Sequence, residues 1–227
     1  MTNNLIVRDF ARPSKDLIER FRALPVANID DAIDRLQAID PAIRPLSNQG
    51  KLLGPAFTVK VAQGDNLLLH AAMDMAKPGD VIVIDAGGYE GRAIFGALMA
   101  TYLKVRGMAG IVCDGAIRDK DELAELEGFP VYARSATPDG PYKNGPGEIG
   151  TPVCVGGRIV HPGDIVVGDG DGVLFLDPAK AEAIADATDQ IKAMEDGLME
   201  GILQGNYDRP WVRTKLAALG YVLDDEA

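Results

Sequence analysis

The adjacent residues Arg118 and Asp119 are the side chains whose types and spacing best suit chemistry on a small anionic ligand. They follow an apolar segment, residues 111–113, that has the composition of a buried strand and breaks at Asp114-Gly115. In open α/β sheets, ligand-binding groups collect beyond the carboxyl ends of the strands. A guanidinium group binds a carboxylate through two hydrogen bonds, and a carboxylate is an oxygen ligand suited to Mg²⁺ or Mn²⁺. The pair therefore predicts a site for an anion and a cation; the alternative is a solvent-exposed ion pair of little consequence.

Alternating apolar strands and helices surround this pair. The sequence predicts strands at residues 81–84, 110–113 and 131–133, with helices at 92–106 and 120–127. Because the strands are continuously apolar and alternate with helices, they indicate a parallel sheet joined by crossover helices. The glycine-rich loop predicted at 85–91 follows the first strand, so we expect it to open at the same sheet edge as the Arg-Asp pair.

The segments before this region supply a polar arm, two short helices beginning at Ser14 and Asn28, and a strand over residues 51–63. Apolar residues alternate with Thr58 and Lys60 in that strand, which predicts burial on one face only. Gly64-Asp65-Asn66 is then predicted to cap a helix that reaches about residue 76. That helix carries His70, which we treat as a packed or hydrogen-bonded side chain and as a candidate neighbour of the site.

The C-terminal third changes character. After a loop at residues 135–151, short strands separated by Gly and Pro turns predict a β layer, which is too short to bury a core alone and so belongs to the same domain. A long helix is predicted to start at Asp177 and to carry a narrow apolar stripe. We therefore divide the chain into an arm (1–13), an α/β domain (14–176) and a helical extension (177–227) that packs on the domain or on a neighbouring subunit.

Composition excludes several classes of function. A formal net charge of −11 and the lack of basic runs argue against nucleic-acid binding, which depends on clustered Lys and Arg. Cys113 and Cys154 are far apart and predict buried free thiols rather than a zinc or redox motif. No apolar run approaches the length of a membrane span and no signal-peptide core opens the chain, so we expect a cytoplasmic protein.

Short motifs in a fixed order resemble a known family over residues 27–176. They are Gly64-Asp65-Asn66-Leu67, Pro78-Gly79-Asp80-Val81-Ile82-Val83, Gly107-Met108-Ala109-Gly110-Ile111-Val112, Asp114-Gly115-x-x-Arg118-Asp119, Gly147-Glu148 and Pro162-Gly163-Asp164. The family joins 4-hydroxy-4-methyl-2-oxoglutarate aldolases, which also act on 4-carboxy-4-hydroxy-2-oxoadipate, to the regulator of ribonuclease E activity A. The resemblance implies a single three-layer swivelling β/β/α domain like that of phosphohistidine proteins, with a partly parallel sheet and a second β layer. It also implies a homotrimer, or a dimer of trimers, with active sites between subunits.

The same resemblance assigns roles to residues of this chain. Arg118 takes the carboxylate of a pyruvyl substrate and Asp119 holds Mg²⁺ or Mn²⁺. Backbone N–H groups assist at the positions that match the family's amide-bearing segment, which are Gly96, Ala97, Leu98 and Met99. The metal polarises the 2-oxo group and stabilises a pyruvate enolate. Retro-aldol cleavage and oxaloacetate decarboxylation share that enolate, so the resemblance implies either lyase activity.

The chain departs from the family at Ala97. The aldolases carry an acid there, separated from the Arg by twenty residues. That acid organises metal-bound water and proton transfer, a role usually contributing about 10²–10⁴-fold. Glu90 is the acid we consider as its substitute. Our first hypothesis is a metal-dependent lyase acting on a 2-oxo acid. The second is a non-catalytic regulator that docks on a basic partner of RNA degradation, and the third is a Schiff-base aldolase that uses Lys60.

Overall fold

A mixed sheet of eight strands forms the centre of the fold. The computed structural model describes residues 4–46 and 50–221. The strands are β1 (Arg44–Pro45), β2 (Leu52–Val61), β3 (Val81–Ala93), β4 (Gly110–Ile117), β5 (Val131–Ala136), β6 (Gly147–Ile149), β7 (Val153–Val155), β8 (Arg158–Val160), β9 (Ile165–Asp169) and β10 (Gly172–Leu176). The helices are α1 (Lys15–Glu19), α2 (Val26–Ala32), α3 (Leu67–Met75), α4 (Ala97–Val105), α5 (Lys120–Ala124), α6 (Ala181–Leu203) and α7 (Pro210–Ala218).

The main sheet is parallel at its core and antiparallel at its edges. Its order is β1-β5-β4-β3-β2-β9-β10, with β6 paired to β2, and strands β2 to β5 run parallel to one another. The hairpin of β7 and β8 forms a separate two-stranded sheet. The predicted α/β class, with a largely parallel sheet and a second smaller β unit, is confirmed. The late strands split between the two sheets, because β9 pairs with β2 while β7 and β8 pair with each other.

Both faces of the parallel strands are covered, which explains why their sequences are continuously apolar. On one face Ile82, Ile84 and Ile111 pack in a cluster with residues of α3, α4 and α5. On the other face Val83 and Val112 pack in a cluster with residues of the β7–β8 hairpin. The prediction of a half-buried strand at residues 51–63 was wrong for this reason. Thr58 is fully buried and its hydroxyl donates to the carbonyl of Thr151 (2.7 Å), whereas Lys60 is exposed.

Two strands extend further than their sequences indicate. The segment predicted as a glycine-rich loop at residues 85–91 is part of β3, and β4 continues through Asp114-Gly115 instead of breaking there. Register shifts between the two strands absorb the extra residues of β3. Tyr89 pairs with Gly115, where a β-carbon would lie 2.9 Å from the side chain of Ala86. Glycine is therefore required at position 115 because β3 and β4 approach closely there, and not because the chain turns.

Two buried acids within β3 and β4, Asp85 and Asp114, hold the second sheet. Asp114 accepts hydrogen bonds from the Arg134 guanidinium and from the backbone N–H of Gly156 (2.8 Å). Asp85 accepts from the backbone N–H of Cys154 (3.2 Å). These buried carboxylates accept hydrogen bonds from backbone N–H groups of the β7–β8 hairpin. A buried N–H group without such a partner would cost about 1–3 kcal/mol. Asp85 and Asp114 therefore serve the structure by joining the two sheets.

The two cysteines differ in environment. Cys113 is fully buried on β4, and burial raises the pKa of its thiol. Cys154 is exposed, so the prediction of a buried thiol is confirmed for the first residue and wrong for the second. The thiol of Cys154 faces outward because the short strand β7 alternates, with Val153 and Val155 buried on either side of it.

The N-terminal segment packs along the domain from residue 4 onward. The guanidinium of Arg12 donates two hydrogen bonds of 2.7 Å to the buried carboxylate of Asp80 and lies 4.2 Å from the ring centre of Phe10. Ser14 caps α1 as predicted, accepting from the backbone N–H of Leu17. The predicted start of the next helix at Asn28 was wrong, because α2 begins at Val26 and Asn28 lies within it.

The chain divides into two compact units, Met1–Thr188 and Asp189–Ala227. The first contains both sheets, helices α1 to α5 and the start of α6, whose buried residues are Ala181, Ala185 and Thr188. The second contains the remainder of α6 and α7. Residues 1–3 of the predicted arm and 222–227 of the predicted extension lie outside the described residues. Within the described segments, no helix combines the length and apolar character needed to cross a membrane.

Candidate active site

Arg118 and Asp119 follow directly after β4, where the sequence places them. The backbone N–H of Arg118 donates to the carbonyl of Phe95 (3.0 Å), which fixes the end of the strand against the segment that leads into α4. Asp119 is the N-cap residue of α5 and adopts a left-handed conformation, with φ 56° and ψ 41°. Such a conformation is costly for a residue other than glycine and is concentrated at functional sites.

The carboxylate of Asp119 is held against the start of α4. Its Oδ2 accepts a hydrogen bond from the backbone N–H of Ala97 (3.0 Å) and lies 3.8 Å from Nε of Arg118. Gly96 makes this approach feasible, because a β-carbon at that position would lie 2.2 Å from the same Oδ2 and 2.9 Å from Cγ of Arg118. The backbone of Gly96 is extended, so the constraint is the contact and not the backbone conformation.

The amino end of α4 adds backbone donors to the same place. Gly96 is the N-cap, and the N–H groups of the first turn have no carbonyl partner within the helix. Asp119 takes the N–H of Ala97, which leaves those of Leu98 and Met99 as the donors of that turn available to an anion. The helix begins five residues later than predicted, since residues 92–93 still belong to β3.

A cavity of about 290 Å³ joins these groups. It is lined by Asn66, His70, Phe95, Gly96, Leu98, Met99, Arg118, Asp119, Gly140, Pro141 and Lys143. Two cationic groups, Arg118 and Lys143, face one carboxylate, so the cavity suits a small anionic ligand better than a cationic one. The structure thus brings together every site residue predicted from the sequence, and Ala97 takes part through its backbone N–H.

Asn66 belongs to this cavity and was missed as a site residue. The sequence suggests a helix cap, yet its side chain caps nothing. Its Nδ2 donates to the carbonyl of Ile94 (2.9 Å), and its buried Oδ1 has no hydrogen-bond partner among the described residues. The capping task falls to Asp65, which accepts from the backbone N–H of Leu67 (2.9 Å). The sequence did contain a signal: Asp65 and Asn66 are both residues that cap helices, and α3 needs only one of them, which leaves the other for a different role.

The opposite wall comes from the Pro- and Gly-rich segment after β5, another part of the site that the sequence did not predict. Arg92 secures it: its guanidinium donates to the carbonyl of Gly140 (2.8 Å) and lies 4.3 Å from the ring centre of Tyr142. Backbone hydrogen bonds join Tyr142 to Gly64 (2.8 Å) and to Asn66 (3.0 Å). The loop that carries Lys143 is therefore tied to the start of α3.

Two residues considered from the sequence lie elsewhere. Glu90 is in β3 and exposed, and it does not line the cavity. Lys60 lines a different hollow of about 140 Å³ and pairs across β2 and β6 with Glu148. The expectation that Lys60 is solvated is confirmed. The Schiff-base hypothesis loses its basis, because the lysine lies apart from the carboxylate-binding groups.

The cavity offers oxygen ligands to a divalent cation. They are the carboxylate of Asp119 and the partnerless Oδ1 of Asn66. No group of three His, Cys, Asp or Glu side chains within the described ranges is placed to enclose a metal ion. Mg²⁺ usually keeps several waters and is bound by one or two carboxylates together with ligand oxygens. The residues present therefore fit a cation shared with a bound ligand.

The fold and the cavity together define an α/β protein with a candidate anion site at the carboxyl end of β4. A family model described as Aldolase/RraA matches residues 26–175, and the chain belongs to this RraA-like family. The matched range includes every residue that lines the cavity.

Relatives carry two kinds of name. A protein of Halalkalibacterium halodurans, provisionally named 4-hydroxy-4-methyl-2-oxoglutarate aldolase, is 41% identical over 81% of this chain and 91% of its own length. A protein of Burkholderia mallei with the same provisional name is 38% identical over 66% and 90%, respectively. The crystal structure of Streptomyces coelicolor RraAS2, described as an unusual member of the RNase ES inhibitor RraA family, aligns with a TM-score of 0.74 at 30% identity, covering 83% of this chain and 98% of that one. The RNA-processing inhibitor RraA of Thermus thermophilis aligns with a TM-score of 0.61, also at 30% identity, covering 67% and 92%.

Proposed function

We propose that this protein is a divalent-metal-dependent carbon–carbon lyase that acts on a 2-oxo acid through a pyruvate enolate. One observation carries the proposal: the Arg118 guanidinium, the Asp119 carboxylate and the first amides of α4 surround a single cavity. This combination suits a ligand that has a carboxylate beside a carbonyl oxygen. The aldolase names of the relatives support lyase chemistry at the level of the family.

Arg118 binds the carboxylate of the substrate in this proposal. A guanidinium offers two parallel N–H donors that match the two carboxylate oxygens. The N–H groups of Leu98 and Met99 add donors, and the amino end of the helix favours negative charge. Because Arg118 and α4 are joined through Phe95 and Asp119, these donors keep fixed positions relative to each other. Orientation of this kind lowers the barrier by positioning the substrate in advance.

Asp119 holds Mg²⁺ or Mn²⁺ in this proposal, with Asn66 Oδ1 available to the cation or to its water. When bound, such a cation supplies a Lewis acid for the 2-oxo oxygen, which stabilises negative charge as a carbon–carbon bond breaks. The hydrogen bond from the N–H of Ala97 keeps the Asp119 side chain in one orientation. Cleavage of a 4-hydroxy-4-methyl-2-oxoglutarate-type substrate and decarboxylation of oxaloacetate both produce a pyruvate enolate, so one cavity serves both reactions.

Exchange of the methyl protons of pyruvate tests this function, because it requires the enolate but no particular leaving group. The protein is incubated with pyruvate and Mn²⁺ or Mg²⁺ in D₂O. The metal is then chelated to stop the reaction, and the methyl signal that remains is measured by NMR. We expect the signal to decay with the metal present and to persist in EDTA. An Arg118→Ala variant should lose the exchange, whereas Arg44→Ala, an exposed arginine outside the cavity, should keep it. An unchanged methyl signal, together with no release of pyruvate from oxaloacetate, would overturn the proposal.

A second candidate function is that of a protein-binding regulator of RNA degradation. Alanine at position 97 and a net charge of −11 favour it, because the first removes an acid expected of the aldolases and the second suits a basic partner. Two structural neighbours, which are named as an RNase ES inhibitor family member and an RNA-processing inhibitor, also support this function. A salt-sensitive pull-down of an RNA-degradation enzyme would support this function, and the lack of a bound partner at low salt would count against it.

We also propose a homotrimer or a dimer of trimers, with the cavity next to a subunit interface. The observation in support is an apolar stripe on α4, beside the cavity. Leu98 and Val105 are 85% and 82% exposed, and Tyr102 between them is 42% exposed. Exposed apolar groups grouped on one helix mark an interaction surface more often than isolated ones do. Light scattering should show trimers or hexamers for the parent protein and smaller species for Val105→Asp.

A further inference from the structure

Gly140 brings the cavity wall to the guanidinium of Arg118. A β-carbon at Gly140 would lie 3.3 Å from Nη1 of Arg118, so the backbone of the glycine lies beside the group that binds the substrate carboxylate in the proposed function. The side chain of Arg118 is 44% exposed. An arginine side chain at such a position has many rotamers, and binding a ligand restricts them at a cost in entropy. A wall that restricts these rotamers beforehand therefore favours binding.

Arg92 holds Gly140 in this place from outside the cavity. Its guanidinium donates to the carbonyl of Gly140 (2.8 Å) and lies 4.3 Å from the ring centre of Tyr142. Arg92 itself does not line the cavity, and its backbone belongs to β3. The next residue of that strand, Ala93, donates its backbone N–H to the carbonyl of Asp139 (2.8 Å). The end of β3 therefore anchors the wall at consecutive residues, and Arg92 supplies the contact to the one that lies beside Arg118.

The far end of the wall is anchored independently of Arg92. The carboxylate of Asp65, which is buried, accepts a hydrogen bond from the backbone N–H of Asn144 (2.5 Å). Gly64 leaves room for the arginine, because a β-carbon there would lie 3.0 Å from Cδ of Arg92. Removal of the Arg92 side chain thus leaves the wall attached at both ends and releases the carbonyl of Gly140 between them.

We propose that Arg92 is a positioning residue of this site: it fixes Gly140, and Gly140 in turn confines the guanidinium of Arg118 to the orientation that binds a substrate carboxylate. Confinement before binding reduces the entropy that the side chain loses when the ligand arrives. The substrate and the transition state both keep the carboxylate, so both gain equally from this contact. Loss of an interaction of this kind raises KM and leaves kcat unchanged. This inference rests on the proposed lyase function.

Saturation kinetics of pyruvate methyl-proton exchange, measured with Mg²⁺ in excess, test the role of Arg92. For Arg92→Ala we expect KM to rise about 2- to 12-fold, the cost of immobilising one long side chain on binding, with kcat unchanged. A purely structural role predicts the opposite pattern, because a fraction of unfolded molecules lowers the apparent kcat and leaves KM as it was. Arg44→Ala is the matched control and should keep both values. Arg44 also donates to a backbone carbonyl, that of Pro41 (2.9 Å), but it lies outside the cavity.

Two substitutions at Tyr142 test the same contact with Arg92 in place. Tyr142→Phe keeps an aromatic ring for the guanidinium and should keep the KM of the parent protein, whereas Tyr142→Ala removes the ring and should raise KM. Arg92→Lys retains a cationic donor for the carbonyl of Gly140, so its KM should fall between those of the parent protein and Arg92→Ala. Calorimetry with oxalate and Mg²⁺ should show Arg92→Ala weakened by the same factor as its KM, since oxalate also presents a carboxylate to Arg118.

The outcomes for the two proposals differ. If the parent protein exchanges protons and Arg92→Ala keeps both the KM and the oxalate affinity of the parent, the role of Arg92 is overturned while the lyase function stands. If Arg92→Ala does not fold, the comparison of Tyr142→Ala with Tyr142→Phe decides in its place, and equal KM values for the two overturn the role. If the parent protein neither exchanges protons nor binds oxalate, the lyase function itself fails.

Discussion

Replacement of Gly96 by alanine probes the contact on which the site depends. The new β-carbon would lie 2.2 Å from Oδ2 of Asp119, whereas ordinary contacts of a β-carbon are 3.4–4 Å. The carboxylate must therefore move by more than about 1 Å, which breaks its 3.0 Å hydrogen bond from the N–H of Ala97. A hydrogen bond to a charged group contributes about 1.5–3 kcal/mol. With each 1.4 kcal/mol equal to a factor of ten, we expect Mn²⁺ to bind about 10- to 150-fold more weakly in the presence of oxalate.

The assay is a titration of Mn²⁺ followed by electron paramagnetic resonance, with oxalate held at a saturating concentration. Gly170→Ala is the matched control, because a β-carbon at Gly170 would meet no atom within 4 Å. Thermal unfolding of both variants separates loss of the fold from loss of the site. Binding by a folded Gly96→Ala variant as tight as that of Gly170→Ala would refute the argument that the approach of Asp119 to α4 positions the metal ligand.

Three further predictions concern the site and the fold. Ala97→Asp restores the acid expected at the first residue of α4, and we expect pyruvate exchange to rise by at least about tenfold; an unchanged rate would show that this acid does not limit the reaction. Arg134→Ala leaves a buried carboxylate on β4 without its cation, so urea unfolding should show a loss of about 3–5 kcal/mol, against little change for the exposed Arg44→Ala. Burial raises the pKa of Asp164, so the folded protein binds its proton more readily than the unfolded chain and the carboxyl group adds stability as the pH falls from 7 towards 4. Asp164→Asn should remove this dependence from urea midpoints measured across that range, whereas His161→Gln should retain most of it.

The sequence predicted the sheet through the apolar central residues of its strands, but it did not predict where those strands end. Residues 81–84, 110–113 and 131–133 are apolar without interruption because both faces of the sheet are covered. Beyond these cores, Asp85 and Asp114-Gly115 have the composition of turns. They continue as strands because the β7–β8 hairpin and Arg134 satisfy their carboxylates. These partners lie 20 to 69 residues away in sequence, and local patterns carry no information about them.

The site was predictable where adjacent residues or the family resemblance indicated it. Arg118 and Asp119 stand together at the end of a strand, and the segment from Gly96 was assigned through the resemblance. Asn66 was missed because asparagine before a helix is ordinarily a cap. The wall at Gly140 and Lys143 was missed because a loop rich in proline and glycine does not indicate where it folds back.

A crystal structure with oxalate and Mn²⁺ would show directly whether Arg118 and Asp119 bind the carboxylate and the metal. Oxalate has the paired oxygens of a pyruvate enolate, and Mn²⁺ is identified by its anomalous scattering. We expect Mn²⁺ at the carboxylate of Asp119, with one carboxylate of oxalate on Arg118 and near the N–H groups of Leu98 and Met99. Oxalate and Mn²⁺ bound together at another place, with this cavity holding solvent only, would contradict it.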